Sequence, residues 1–474
     1  MPDHKPTASL TFLGAARTVT GSKHLLRVGE RNVLVDCGLF QGLKALRERN
    51  WQPLSVRATD VEAVVLTHAH LDHVGYLPRL VSQGFRGRVF CTPGTAELAR
   101  IVLADAARLQ EEDAERANRK HYTKHSPALP LFTTKDADRA MQLLQPVGYD
   151  RPMPVVPGVE VDFVDAGHLL GSAYARIRLQ SEGRTILFGG DLGRYDRPVL
   201  HDPEPIAEAD VLLLESTYGN RVHEADDDGH RIARIISETA ERGGKVIVPA
   251  FALGRIEEVL YWIARLEDER RIPVLPVYVD SPMAAAVLEV YRSRMHELEG
   301  GIMPEGIDPH RLRNVRETCG FCTAKLRVIS SVPDSRAVQE SNEPAIVVSS
   351  SGMATGGRVL HHLTHTLPEE RHTVLFVGFQ AAGTRGRQLL EGAQFTRIHG
   401  NQVPVRARIE SIDSMSAHAD SNEIMRWLGH FTKPPTLTCL VHGEPEPMDA
   451  LRARIEKELG WHVRTPAHRE KMEI

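Results

Sequence analysis

Up to about residue 210 the chain runs as short β-branched stretches broken by turns: SLTFLG, HLLRV, NVLVD, AVVLT, RVFCT, VEVDFVDAG, ARIRLQ, TILFGGD and VLLLEST. Each reads as a strand. One long interruption, LARIVLADAARLQEEDAERANRK, is apolar at helical spacing early and densely charged later, which predicts a helix whose second half is a solvated face. From about residue 230 the rhythm changes to HRIARIISETAERG then KVIVPAF, RIEEVLYWIARLEDE then PVYVD, and later AIVVSSS and TVLFVGFQ. Apolar strands that alternate with helices predict a parallel α/β sheet covered on both faces.

Ligands of such sheets bind beyond the carboxyl ends of the strands, and the segments there are PAFALGR, VDSPM, SSSGMATGGR and GFQAAGTRGR. All are rich in Gly, Ser or Arg, as suits an oxyanion. Ser349, Ser350, Ser351, Gly352 and Arg385 are therefore the expected contacts to phosphate, with turn geometry and packing as the competing use of the same residues.

With 474 residues the chain exceeds what one hydrophobic core usually supports, so two domains, or one with a large insertion, are expected. The 42% hydrophobic and 25% charged composition is that of an ordinary globular protein. A net charge of -4 neither requires nor excludes a polyanionic partner, which would need a local basic patch and metal ions. No stretch approaches the length of a membrane span and none at the start resembles a signal peptide, so a cytoplasmic protein without membrane contact is expected. Five cysteines, an odd number, argue against a disulfide framework, and the single CxxC of Cys319 and Cys322 lacks a second pair to close a zinc site.

The densest chemistry is HAHLDH, which sets His68, His70, Asp72 and His73 directly after the apolar strand VEAVVL. In an extended segment His68 and His70 project to the same side, while Asp72 and His73 fall in the next turn and can address a second ion. Four ligand-type residues in six positions suit two adjacent metals. Further candidates stand at similar strand ends: His168 in VDAGHLLG, Asp191 in LFGGDLGR and His442 in CLVHGE.

Taken in order, Asp36 of NVLVDCG, the HAHLDH run, His168, Asp191 and His442 resemble the metallo-β-lactamase superfamily. The resemblance implies an αββα sandwich, with one metal on His68, His70 and His168, another on Asp72, His73 and His442, Asp191 bridging, and Asp36 orienting a ligand from behind. The long insertion before His442, Glu215 in LLLEST, His418 in DSMSAHAD, and HVGYLPRL where other branches carry HxGG are similar to the β-CASP nucleases. That likeness implies a metallo-β-lactamase domain from 1–212 and 396–474, interrupted by a parallel-sheet β-CASP cap over 213–395. The resemblance is expected to extend neither to a KH-type segment before it nor to an RNase J-type domain after it, so oligomerisation and processive 5′-exonuclease action tied to that domain are not implied.

The function expected is hydrolysis of RNA, single-stranded, by two Zn2+ ions, with manganese accepted when supply dictates. The expected catalytic set is His418, Glu215 and Asp72: His418 protonates the leaving ribose oxygen, and Glu215 fixes its tautomer and keeps it charged. From the residues alone His418 serves equally well as a buried structural histidine. Endonucleolytic cutting with some 5′-exonuclease activity and a homodimer fit the same reading. The alternatives are a two-zinc hydrolase of small esters or lactones, and a non-catalytic RNA-binding scaffold.

Overall fold

Hydrophobic alternation in the first third of the chain has to bury one face of each strand, and two sheets do so against each other. A computed structural model describes residues 8–120, 123, 125–225, 227–299, 321 and 323–474. The chain divides into two units: Met1–Tyr195 with Asp202–Val222 and His418–Ile474, and Asp196–His201 with His223–Ala417.

In the first unit, strands at Ala8–Phe12, His24–Val28, Arg31–Val35, Ala63–Val65 and Arg88–Cys91 form one seven-stranded sheet, whose edges are Lys471–Glu473 and Leu144–Pro146. A second seven-stranded sheet is centred on Val159–Asp165, Ala173–Leu179, Arg184–Phe188, Val211–Glu215 and Leu437–Val441. Leu10, Val33 and Val65 of the one meet Phe163, Ile177 and Phe188 of the other in a single buried cluster. The outer face of the second sheet is covered by helices Ser421–Leu428 and Pro445–Leu459, through Trp427, Leu428, Leu451 and Ile455. Two sheets between helices make the metallo-β-lactamase sandwich. The helix expected after the fifth strand spans Pro93–Lys120, and beyond Ala107 it buries only Ala117, so its charged half is the solvated face.

The second unit carries a six-stranded sheet paired in parallel throughout, in the order Leu326–Val328, Val277–Val279, Ala345–Ser349, Lys245–Pro249, Thr373–Phe376 and Arg408–Ser411. Helix His230–Glu241 packs on the strand Lys245–Pro249, and helix Arg255–Asp268 buries most of its residues. The expected cap limits of 213 and 395 shift to His223 and Ala417, because Arg408–Ser411 pairs with Thr373–Phe376 as the last strand of the sheet. Cys319 and Cys322 lie outside the described residues, while Cys37, Cys91 and Cys439 are buried free thiols. No described helix is long and apolar enough to cross a membrane.

Glu257, in the first turn of Arg255–Asp268, is fully buried, and neither carboxylate oxygen has a hydrogen-bond partner among the described residues. Burial pushes its carboxyl up from 4.5 to about 8. The unfolded chain therefore releases a proton that the folded chain keeps, and stability falls as pH rises from the ordinary glutamate range to about 8. Glu257→Gln is expected to stabilise the protein by on the order of a few kcal/mol near pH 8 and hardly at all near pH 4. Thermal melting at both pH values checks it; an equal gain at both would show that the carboxyl is not held uncharged.

Candidate metal centre

The strand Ala63–Val65 ends in an extended segment, and a short helix, Leu71–Val74, begins directly after His70. This change of geometry inside HAHLDH separates its candidate ligands. His68 and His70 turn one way, with His68 Nε2 and His70 Nδ1 3.1 Å apart, and His168 Nε2 lies 3.2 Å from the same His70 nitrogen. Asp191 Oδ2 completes that set, 3.3 Å from His68 Nε2 and 3.5 Å from His168 Nε2.

From the helical turn come Asp72 and His73. Asp191 Oδ1 stands 3.3 Å from His73 Nε2, and Asp72 Oδ2 stands 3.3 Å from His442 Nε2. Donor atoms on one tetrahedral zinc, each about 2.0 to 2.2 Å from it, must lie roughly 3.3 to 3.5 Å from one another. The observed separations, 3.1 to 3.5 Å, lie close to that edge. Moreover, His73 Nε2 and Asp191 Oδ1 are buried without a hydrogen-bond partner among the described residues, which a cation would remedy. The donor set, imidazole and carboxylate only, fits zinc.

Burial holds His70 down at about 3 and lowers His68 and His168 as well, so these imidazoles are neutral and present lone pairs. Against burial, the Asp191 and Asp36 carboxylates lift His73 well above its ordinary value. Asp36 sits behind the ligands: its Oδ2 is 2.8 Å from His73 Nδ1, and its Oδ1 accepts from the Thr67 amide at 2.8 Å. Both Asp36 and His442 adopt left-handed backbone, φ 57 and φ 47, an uncommon cost outside glycine that aims their side chains inward. Gly38 has no alternative residue, since a Cβ there would meet the Asp72 carbonyl at 1.5 Å.

Beside the second set, His418 Nδ1 lies 3.0 and 3.1 Å from the two oxygens of Glu215, which is completely buried. Burial opposes charge on His418, but the Glu215 carboxylate outweighs it and raises the imidazole to about 9. Glu215 Oε1 also accepts from the Leu192 amide at 2.7 Å, so the carboxylate is fixed by backbone as well. Among the described residues the groups able to hold a cation are His68, His70, His168 and Asp191; Asp72, His73 and His442; and Asp191 with Glu215, His418 and His442.

Matches to known families coincide with these elements. A β-lactamase superfamily domain matches residues 31–274, a Beta-Casp domain matches 256–389, and a Zn-dependent metallo-hydrolase RNA specificity domain matches 402–466. The chain belongs to the β-CASP branch of the metallo-β-lactamase superfamily. It is 38% identical to a ribonuclease of Thermus thermophilus over 439 residues, which cover 92% of this chain and 94% of that one. It is 28% identical to the transcription termination factor FttA of Methanocaldococcus jannaschii, over 92% of this chain and 67% of that protein. The crystal structure of a protein of unknown function from Enterococcus faecalis V583 shares the fold, with a TM-score of 0.52 at 13% identity, over 98% of this chain and 100% of that one.

In this β-CASP chain the cap residues expected at phosphate fare unevenly. Ser349 is buried and its hydroxyl donates to the Asp280 carbonyl at 2.8 Å. Arg385 gives Nη1 to the Ala354 carbonyl and Nη2 to that of Arg397, at 2.7 Å for the latter, which locks a turn from within. Gly352 is buried where a Cβ would strike the Phe251 ring at 2.7 Å. The contacts of these three are of the packing and turn-forming kind. Ser350 and Ser351 are half-buried, with hydroxyls meeting Ser281 at 2.8 Å and the Thr355 amide at 3.0 Å.

Sequence reading missed Thr67 and Thr217, whose buried hydroxyls stand between a carboxylate and a ligand imidazole at 3.0 to 3.1 Å and at 2.5 to 3.1 Å. Their closeness in sequence to His68 and Glu215 was the one available signal.

Proposed function

We propose that this chain is a zinc-dependent ribonuclease with two zinc ions, one on His68, His70 and His168 and one on Asp72, His73 and His442, bridged by Asp191. The observation that carries the reading is the pair of ligand sets that share the two oxygens of Asp191, with the His418 and Glu215 pair 3.0 Å apart beside them. A match to an RNA specificity domain over 402–466 and a relative that is a ribonuclease support RNA as the polymer.

Two bound metals supply a water of lowered pKa and a clamp on a phosphate oxygen. The chain does the rest. Asp36 orients His73, and Glu215 holds Nδ1 of His418, so Nε2 carries the proton delivered to the departing ribose oxygen. A histidine kept charged near neutral pH suits an acid with that task. Ser350 and Ser351 are the cap residues proposed to meet RNA phosphate. A non-catalytic scaffold has no use for seven converging ligands.

Zinc-loaded protein incubated with 5′-labelled single-stranded RNA and the matched DNA, with products resolved on one gel, tests this. The expected result is RNA cleavage that a chelator abolishes, with internal fragments if the enzyme is an endonuclease and mononucleotide if it works from the 5′ end. Neither polymer cut by protein carrying two metals would replace RNA with a small ester.

A further inference from the structure

Two threonines occupy equivalent places behind the ligands. The Thr67 hydroxyl lies 3.0 Å from both oxygens of Asp36 and 3.1 Å from His68 Nδ1. The Thr217 hydroxyl lies 2.5 Å from Glu215 Oε2 and 3.1 Å from His442 Nδ1. Both side chains are buried, so neither hydroxyl exchanges these partners for solvent.

A hydroxyl has one proton to give and lone pairs with which to receive. An ionised carboxylate can only accept, and at 2.5 Å Glu215 is the closest acceptor to Thr217; the His442 carbonyl, at 3.1 Å, is the weaker competitor. With its proton committed to Glu215, the Thr217 oxygen receives one from His442 Nδ1. The imidazole proton then sits on Nδ1 and the lone pair on Nε2, the nitrogen that stands 3.3 Å from Asp72 Oδ2 in the second ligand set. Asp191 Oδ1 is also near Nδ1, but at 3.6 Å it is beyond hydrogen-bond distance.

We propose that Thr217 is a positioning residue that relays the Glu215 carboxylate to His442, fixing the tautomer and ring orientation of that metal ligand. Glu215 then serves two imidazoles, His418 directly and His442 through the hydroxyl. Metal retention and the acid are thereby tied to one buried carboxylate, and loss of Glu215 weakens the second metal as well as the proton donor. The inference rests on the two-zinc reading.

The test is zinc binding, measured by titration against a competing chelator, in the wild type, Thr217→Val, Thr217→Ser, Glu215→Gln and His418→Ala. Valine keeps the shape and removes the hydroxyl. The expected result is that Thr217→Val weakens one of the two zinc sites by about 10- to 100-fold and leaves the other unchanged. Serine restores it, Glu215→Gln weakens the same site, and His418→Ala weakens neither. If the wild type binds fewer than two zinc ions, the two-zinc reading fails. If the wild type binds two and Thr217→Val holds both as tightly, or serine does not restore the loss, the relay is overturned while that reading stands. Should the valine variant not fold, Glu215→Gln carries the test: unchanged affinity at both sites overturns the relay.

Discussion

Asp191→Ala is expected to empty both metal sites at once and to lower RNA cleavage by roughly 10³-fold or more, the rate equivalent of the several kcal/mol that bound metals contribute to the transition state. Among the described residues it is the carboxylate that faces both sets: Oδ2 stands at 3.3 Å from His68 Nε2, and Oδ1 at 3.3 Å from His73 Nε2. Its burial makes the dependence mutual. At 2% exposure, with Oδ1 lacking a hydrogen-bond partner among the described residues, the carboxylate has only imidazoles and cations to offset the loss of water. Metal analysis of the purified variant checks the claim, and a full complement of zinc would remove Asp191 from the bridging role.

His418→Ala should behave differently. It is expected to keep both metals and lose turnover by about 10²- to 10⁴-fold, the usual contribution of a positioned acid. The pH profile adds a second readout. Because Glu215 overcomes the effect of burial and raises His418 to about 9, the imidazole is protonated below that value and loses its proton as pH rises through it. Wild-type cleavage should therefore decline on the alkaline side, and the residual activity of His418→Ala should lack that decline. A zinc-replete His418→Ala protein with wild-type turnover would assign the acid to another group.

Much of the architecture was legible because hydrophobic period is a local property. Every strand expected between SLTFLG and VLLLEST is present, as are the two helices and four strands expected in the cap. Among the elements missed, the helices Pro282–Ser293 and Pro445–Leu459 are long enough to show a period and were not read, while Leu144–Pro146, Met153–Val156, Val463–Arg464 and the hairpin Phe395–Ile398 with Asn401–Pro404 have too few residues to declare one. The far boundary of the cap escaped for the same reason. Arg408–Ser411 is a four-residue strand with no fully buried position, and only its pairing with Thr373–Phe376 assigns it to the second unit.

The candidate ligand residues stood out because His and Asp at strand ends are scarce and chemically loud. Thr67 and Thr217 were silent, since a threonine beside a strand end is ordinary until its hydroxyl is found between a carboxylate and an imidazole. Ser349 and Arg385 show where the sequence is ambiguous. Gly-, Ser- and Arg-rich turns advertise phosphate, yet a buried hydroxyl and a guanidinium spent on two carbonyls serve the turn itself.

The most direct test of the central claim is a zinc titration of metal-free protein, following bound metal and RNA cleavage in the same samples. The account predicts that cleavage follows occupancy of both sites, reaches its maximum at two zinc ions per chain, and is lost when a chelator removes either. Full cleavage with one zinc ion bound, or with none, would contradict it.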